Sequence, residues 1–92
     1  MHLLVVVDQV PPEAIEIIDR RIKAEAHAWW HYVGATWLIC DPSRSFEYWN
    51  AWLSALAETE DGQLLVVQLQ PGTRVNGWLP EAAWEWVQAH LQ

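Results

Sequence analysis

Five consecutive apolar residues near the start of the chain, Leu3 to Val7, constrain the fold more than any other stretch. A β-strand points successive side chains to opposite faces of its sheet. An alternating pattern therefore indicates one buried face, and a continuous apolar run indicates two. The run predicts a central strand that is covered on both faces. The rest of the chain must supply a cover for each of them.

Two later segments have the apolar spacing of amphipathic helices. One follows a pair of prolines, which bar a strand and suit the first turn of a helix, and runs from Glu13 to about Ala28. The other follows DPSRS, in which Asp41 or Ser43 is a suitable N-terminal cap. The apolar stripes consist of Ile15, Ile18, Ile22 and Ala26 in the first helix and Phe46, Trp49, Leu53 and Leu56 in the second.

Three of the eight tryptophans fall within AHAWWHYVGATWLICDP, from Ala26 to Pro42. Two short runs rich in aromatic and β-branched residues flank Gly34, which predicts a hairpin with Gly34 and Ala35 at its tip. Pairing the strands outward from that tip places Trp30, Tyr32, Trp37 and Ile39 on one face and Trp29, His31, Val33, Thr36, Leu38 and Cys40 on the other. The aromatic face is then expected to pack against helices and fill the core.

The remaining elements complete a recognisable order. Leu64 to Leu69 predicts a strand, PGTRVNG predicts a loop, and Pro80 begins a last helix. The order predicts an α+β fold of the ferredoxin-like type, a βαββαβ antiparallel sheet with two helices on one face and an extra C-terminal helix. We expect one domain over residues 1–92, with its core in residues 1–70 and a loop and helix in residues 71–92.

Two helices on one face leave the other face of the first strand without a cover. One candidate cover is the C-terminal helix, through Trp84 and Val87 or Leu91. The other is a second copy of the chain. Because small domains bury a modest share of their surface, they often gain stability by association. We therefore expect a homodimer, with the C-terminal helix as part of its interface.

The charge balance limits the classes of partner. The chain has 12 Asp and Glu against 5 Lys and Arg, a net charge of −7. Proteins that bind nucleic acid neutralise phosphates with clustered Lys and Arg, so this balance argues against a nucleic-acid partner. Arg20, Arg21 and Lys23 lie together on the first predicted helix, where neighbouring acids favour ordinary ion pairing over a phosphate-contacting patch.

Cysteine usage and hydropathy indicate the compartment. Cys40 is the only cysteine, so the chain has no internal disulfide and nothing points to an oxidising environment. The run Leu3 to Val7 has no basic flank and is too short for a secretory segment, and no run approaches the ~18 apolar residues of a membrane span. We expect a cytoplasmic protein without a membrane partner.

Asp8 is the candidate functional residue. It ends the predicted buried strand, where a charge is costly unless it is solvated, paired or bound to metal. The predicted topology brings the turn that holds Glu58, Glu60 and Asp61 close to it. Carboxylate oxygens are ligands for Mg²⁺, so Asp8 is a candidate metal ligand and catalytic residue. The alternative is an ordinary strand-end residue beside a solvated turn.

The segments HLLVVVD, WWHYVGATWLI, QLLVVQL and GWLPEAAWEWV, in this order and spacing, resemble the small ferredoxin-like CRISPR-associated subunit of the spacer-integration complex. The chain is most similar to the SinR-family relatives of that subunit. The resemblance implies a homodimer of ferredoxin-like domains that acts as a metal-dependent nuclease or as a non-catalytic scaffold. In that group an aspartate at the end of the first strand pairs across the dimer to hold a divalent metal, and Asp8 occupies the matching position.

These observations support three hypotheses of function. The first is a non-enzymatic, homodimeric protein-interaction module that uses no cofactor. The second is a Mg²⁺-dependent nuclease or nucleic-acid-processing protein that uses Asp8 from each protomer. The third is an acidic protein that binds a basic partner or mimics nucleic acid.

Overall fold

The run Leu3 to Val7 forms a central strand, as predicted. In the computed structural model, which describes residues 1–91, it belongs to β1 (His2–Asp8), with β3 (Thr36–Cys40) on one side and β4 (Gln63–Leu69) on the other. The hairpin partner β2 (Ala28–Val33) is the outer neighbour of β3. The four strands form one antiparallel sheet in the order β2-β3-β1-β4. With three helices, the fold is α+β.

Two helices, α1 (Pro12–Glu25) and α2 (Phe46–Ala57), form at the predicted places. The predicted end of α1 near Ala28 is wrong, because Ala26 is already extended and the chain enters β2 two residues later. The predicted cap of α2 is also wrong. The hydroxyl of Ser45 caps this helix by accepting from the backbone N–H of Tyr48 at 3.1 Å.

Both helices cover the same face of the sheet. Alternate residues of β1 point to this face, and they are buried together with residues of β3 and both helices. This first cluster contains Leu3, Val5, Val7, Ile18, Ile22, Trp37, Ile39, Trp49, Trp52 and Leu53. Two of its tryptophans, Trp37 and Trp49, are fully buried. Four of the eight apolar-stripe positions predicted for the helices are thus core residues: Ile18, Ile22, Trp49 and Leu53.

The third helix, α3 (Glu81–His90), packs on the second face of its own sheet. The buried residues of this second cluster are Trp30, Leu38, Ala83, Val87 and Leu91. The indole N–H of Trp30 donates to the carbonyl of Ala83 at 3.2 Å, which ties β2 to the first turn of α3. Of the two covers expected for this face, the chain's own helix is the one observed. None of the helices within residues 1–91 is long and apolar enough to cross a membrane.

The hairpin has its tip at Gly34 and Ala35 as predicted, but the predicted register beyond Val33 and Thr36 is wrong. A β-bulge between Trp30 and Val33 shifts the pairing by one residue, so Trp30 pairs with Leu38. The second face therefore receives Trp30 and Leu38, while Trp29 pairs with Ile39 and joins the first face. His31, in the bulge, stacks on Trp37 with ring centroids 4.7 Å apart. The shift places Trp30 in the second cluster and leaves Trp37 in the first, so the prediction that Trp30 and Trp37 share a face is wrong.

Candidate functional site

Asp8 lies at the exposed end of β1. Its Oδ1 accepts from the backbone N–H of Gln9 at 3.0 Å, and Gln9 has a positive φ of 56° where the strand turns away. The carboxylate is therefore solvated and occupied with the local turn, so no burial cost has to be offset by a metal. This environment matches the ordinary strand-end interpretation of Asp8.

The acidic turn reaches the same edge of the sheet as Asp8. Gln63 begins β4 directly after the turn and pairs with Asp8. Glu58, Glu60 and Asp61 are all exposed. Across residues 1–91, no group of three or more His, Cys, Asp or Glu side chains could hold a metal ion. A metal site at Asp8 therefore depends on groups that this part of a single chain does not bring together.

The second face of the sheet is only partly covered. Directly opposed residues share a face, so the pairings define rows that run across all four strands. In the row Trp30, Leu38, Leu4 and Val67, the first three residues pack in the same cluster as α3. The next row towards the hairpin tip, here named the open row, consists of Val33, Thr36, Val6 and Leu65. Its end residues are about half exposed, Val33 at 48% and Leu65 at 54%.

An apolar pocket of about 430 Å³ opens between this face, the end of α3 and the loop before that helix. Its walls are formed by residues 73–79 together with Leu4, Trp30, Val33, Thr36, Leu38, Leu69 and Leu91. Trp78 is among the residues at the pocket and is fully exposed. A concave, mainly apolar site with few polar groups is typical of a binding site for a small molecule or a partner side chain.

Arg74 is the only charged residue within residues 1–91 that lines this pocket. The other four basic residues of the chain each form an ion pair with a carboxylate. These pairs are Arg20 with Glu16, Arg21 with Glu25, Lys23 with Asp19 and Arg44 with Asp41. Arg74 forms no such pair within the described part of the chain. The pairs on α1 confirm the interpretation of its basic residues as an ordinary helix surface.

Sequence reasoning missed this pocket. The segment PGTRVNG carries turn residues and no known binding motif, and its sequence predicts only a loop. The neighbouring Trp78 was the available indication of a binding site. This large aromatic residue lies between turn residues and Pro80, and it belongs to the apolar stripe of no predicted helix or strand. Exposed apolar side chains acquire meaning only when the fold shows what lies beside them.

Comparison with known proteins gives no family for the chain. No protein-family model matches the sequence, and no curated protein matches it. The class that the structure defines is an α+β protein with one antiparallel sheet, a first face covered by α1 and α2, and a partly open second face.

Proposed function

We propose that the protein is a non-enzymatic, homodimeric protein-interaction module, and that its copies meet through the open row of the second sheet face. The single observation that carries this proposal is the row itself. It is a continuous strip of uncharged side chains across the sheet that α3 leaves partly exposed. Exposed apolar strips of this kind mark contact surfaces in small proteins.

The strand order supports a ferredoxin-like fold for each copy of the proposed dimer. An antiparallel sheet in the order β2-β3-β1-β4, with α1 and α2 on one face, is the arrangement expected of a ferredoxin-like domain. In this arrangement the open row lies on the face opposite α1 and α2. Two copies related by a two-fold axis would present the same strip to each other, as an isologous interface requires.

Charge also favours this surface. The chain carries a net charge of −7, so two copies repel each other at long range. The open row contains no ionisable side chain, and Asp8 is the next residue of β1 on the same face. Contact through the row therefore places no charge within the row itself, and only the neighbouring Asp8 of each copy comes close to the interface. Dimerisation should therefore strengthen as salt screens the remaining repulsion.

The test compares Leu65→Glu with Ile17→Glu in sedimentation equilibrium over a range of protein and salt concentrations. Both replace an exposed apolar residue, at 54% and 45% exposure, but Ile17 lies on α1, away from the open row. We expect the wild type and Ile17→Glu to dimerise, and Leu65→Glu to weaken the dimer at least about tenfold by placing a charge in the contact. A wild type that stays monomeric at high protein concentration and high salt would refute the proposal.

The alternative function is a Mg²⁺-dependent nuclease that uses Asp8. One observation favours it: Asp8 follows Val6 on the second face, so a dimer formed over the open row would bring two copies of Asp8 to the same interface. Labelled RNA and DNA, single- and double-stranded, are incubated with Mg²⁺ or Mn²⁺ and with wild type or Asp8→Asn. The interaction-module proposal expects no cleavage that depends on Asp8. Cleavage that disappears in Asp8→Asn would favour the nuclease.

A further inference from the structure

We propose that the apolar pocket beside α3 binds a small monocarboxylate with an apolar body, such as a free fatty acid, and that Arg74 holds the carboxylate. This inference does not depend on the dimer. The pocket volume of about 430 Å³ lies within the range of small-molecule sites, roughly 300–1,000 Å³.

The apolar residues that line the pocket favour a ligand with an aliphatic chain. Leu4 and Leu38 form the floor on the sheet, Leu91 follows the end of α3, and Leu79 closes the side of the loop. An aliphatic chain placed here removes apolar surface from water on both partners, which is the main favourable contribution to binding at such a site. A polar ligand would leave its hydrogen-bonding groups without partners against these side chains.

Arg74 determines the charged end of the ligand. It is the one guanidinium that has no carboxylate partner within residues 1–91, and no acidic side chain lines the pocket beside it. Arg74 is exposed, so it is accessible to a ligand. The planar guanidinium matches the two oxygens of a carboxylate and can donate to both.

The net charge favours a ligand with a single negative charge. The surrounding field of a chain at −7 repels anions, and the repulsion grows with each charge that the ligand carries. A carboxylate has one charge at neutral pH, whereas a phosphate monoester has nearly two. A pocket bordered by a loop and a helix end also suits a compact free ligand better than a long peptide.

The experiment measures the binding of decanoate and of decan-1-ol by calorimetry, below the concentration at which either aggregates. The proteins are wild type, Arg74→Gln and the matched control Arg20→Gln. The guanidinium of Arg20 is exposed on the outer surface of α1. We expect saturable binding of decanoate, weakened about tenfold in Arg74→Gln because a charge-assisted hydrogen bond is lost. Decan-1-ol binding should not change in Arg74→Gln, and Arg20→Gln should bind both ligands like the wild type.

A second measurement locates the ligand. In NMR spectra of the wild type, decanoate should shift the methyl signals of Leu4 and Leu38 and the indole N–H of Trp78. The absence of saturable decanoate binding, shifts centred elsewhere, or equal losses in Arg74→Gln and Arg20→Gln would each overturn the proposal. Because Val33 and Thr36 line the pocket and also belong to the open row, the measurements are repeated on Leu65→Glu. Decanoate binding should persist in that variant even if the dimer does not.

Discussion

At the residue scale, the most constrained polar group is the carboxylate of Asp41, which is 1% exposed. Its Oδ1 accepts from the backbone N–H groups of Ser43 and Arg44, and its Oδ2 accepts from the indole of Trp49 at 2.8 Å. Arg44 adds an ion pair at 3.3 Å. Burial raises the pKa of Asp41, but these donors outweigh burial and hold that pKa below its usual value. Asp41 thus joins the end of β3 to the start of α2.

Replacement of Asp41 by Ala should be strongly destabilising. It leaves the buried indole N–H of Trp49 and two backbone N–H groups without an acceptor, which should lower the free energy of unfolding by about 3 kcal/mol. Urea denaturation followed by tryptophan fluorescence measures the change. Asp61→Ala is the control, because Asp61 lies in an exposed turn and its loss should change stability by less than about 0.5 kcal/mol. Equal effects of the two variants would contradict this account.

At the scale of elements, the β2–β3 hairpin decides how the aromatic residues are shared. Its tip was predictable from Gly34, because a tight hairpin requires a residue with a left-handed backbone and glycine adopts this conformation readily. Gly34 has a φ of +43°, as this requirement expects. The bulge was not predictable from a pattern in which nearly every residue favours a strand. Stacking of His31 on Trp37, and the hydrogen bond of its Nδ1 to the carbonyl of Thr36 at 2.9 Å, accompany the extra residue.

Substitutions at Gly34 test the turn alone. A Cβ atom at this position would meet no other atom within 4 Å, so the cost of Gly34→Ala comes only from the left-handed backbone. We expect a loss of about 1 kcal/mol in the free energy of unfolding for Gly34→Ala, and a smaller loss for Gly34→Asn, because Asn tolerates this conformation better. Thermal and urea denaturation of the two variants give the comparison. A ranking with Ala as the better substitute would exclude backbone strain as the cause.

At the scale of the whole molecule, three carboxylates join the helices to the sheet and to each other. In Asp19, Glu25 and Asp41, burial raises the pKa, but hydrogen bonds and neighbouring cations outweigh it, so each pKa lies below its ordinary value. The main donors are Trp37 and Lys23 for Asp19, Tyr48 and Arg21 for Glu25, and Ser43, Trp49 and Arg44 for Asp41.

These lowered pKa values predict the pH dependence of stability. Near the ordinary carboxyl pKa values of about 4, the unfolded chain binds more protons than the folded one, so unfolding becomes easier as pH falls. The contribution of the three groups is complete above about pH 5 and is lost as pH drops through their lowered pKa values. Urea denaturation at a series of pH values between neutral and strongly acidic measures this loss.

The control for the pH series is Asp41→Asn, which keeps the shape of the side chain but cannot titrate. Its stability should decline less steeply with acid than that of the wild type, because one of the three linked groups is gone. A steeper decline in this variant, or a wild type that gains stability on acidification below pH ~4, would contradict the assignment of these carboxylates.

Local patterns in the sequence were enough to predict the elements and the central strand. The continuous apolar run of β1 implies two covered faces, and the spacing of Ile18 and Ile22 or of Trp49 and Leu53 implies a helix with one buried side. These inferences succeed because they depend on the side chain's own neighbours along the chain. The family resemblance and the role of Asp8 stay predictions.

The tertiary structure alone decided which residues meet. A shift of one residue at the bulge transfers Trp30 to the second face, where it meets Ala83, 53 positions away in sequence. The position of α3 on the second face, the open row and the pocket lined by Arg74 follow from that packing. The physical reason is that the spacing of apolar residues along a helix or strand determines which of its sides is apolar. Strand register, and the choice of which side chains stay uncovered, depend on the energy of all contacts together.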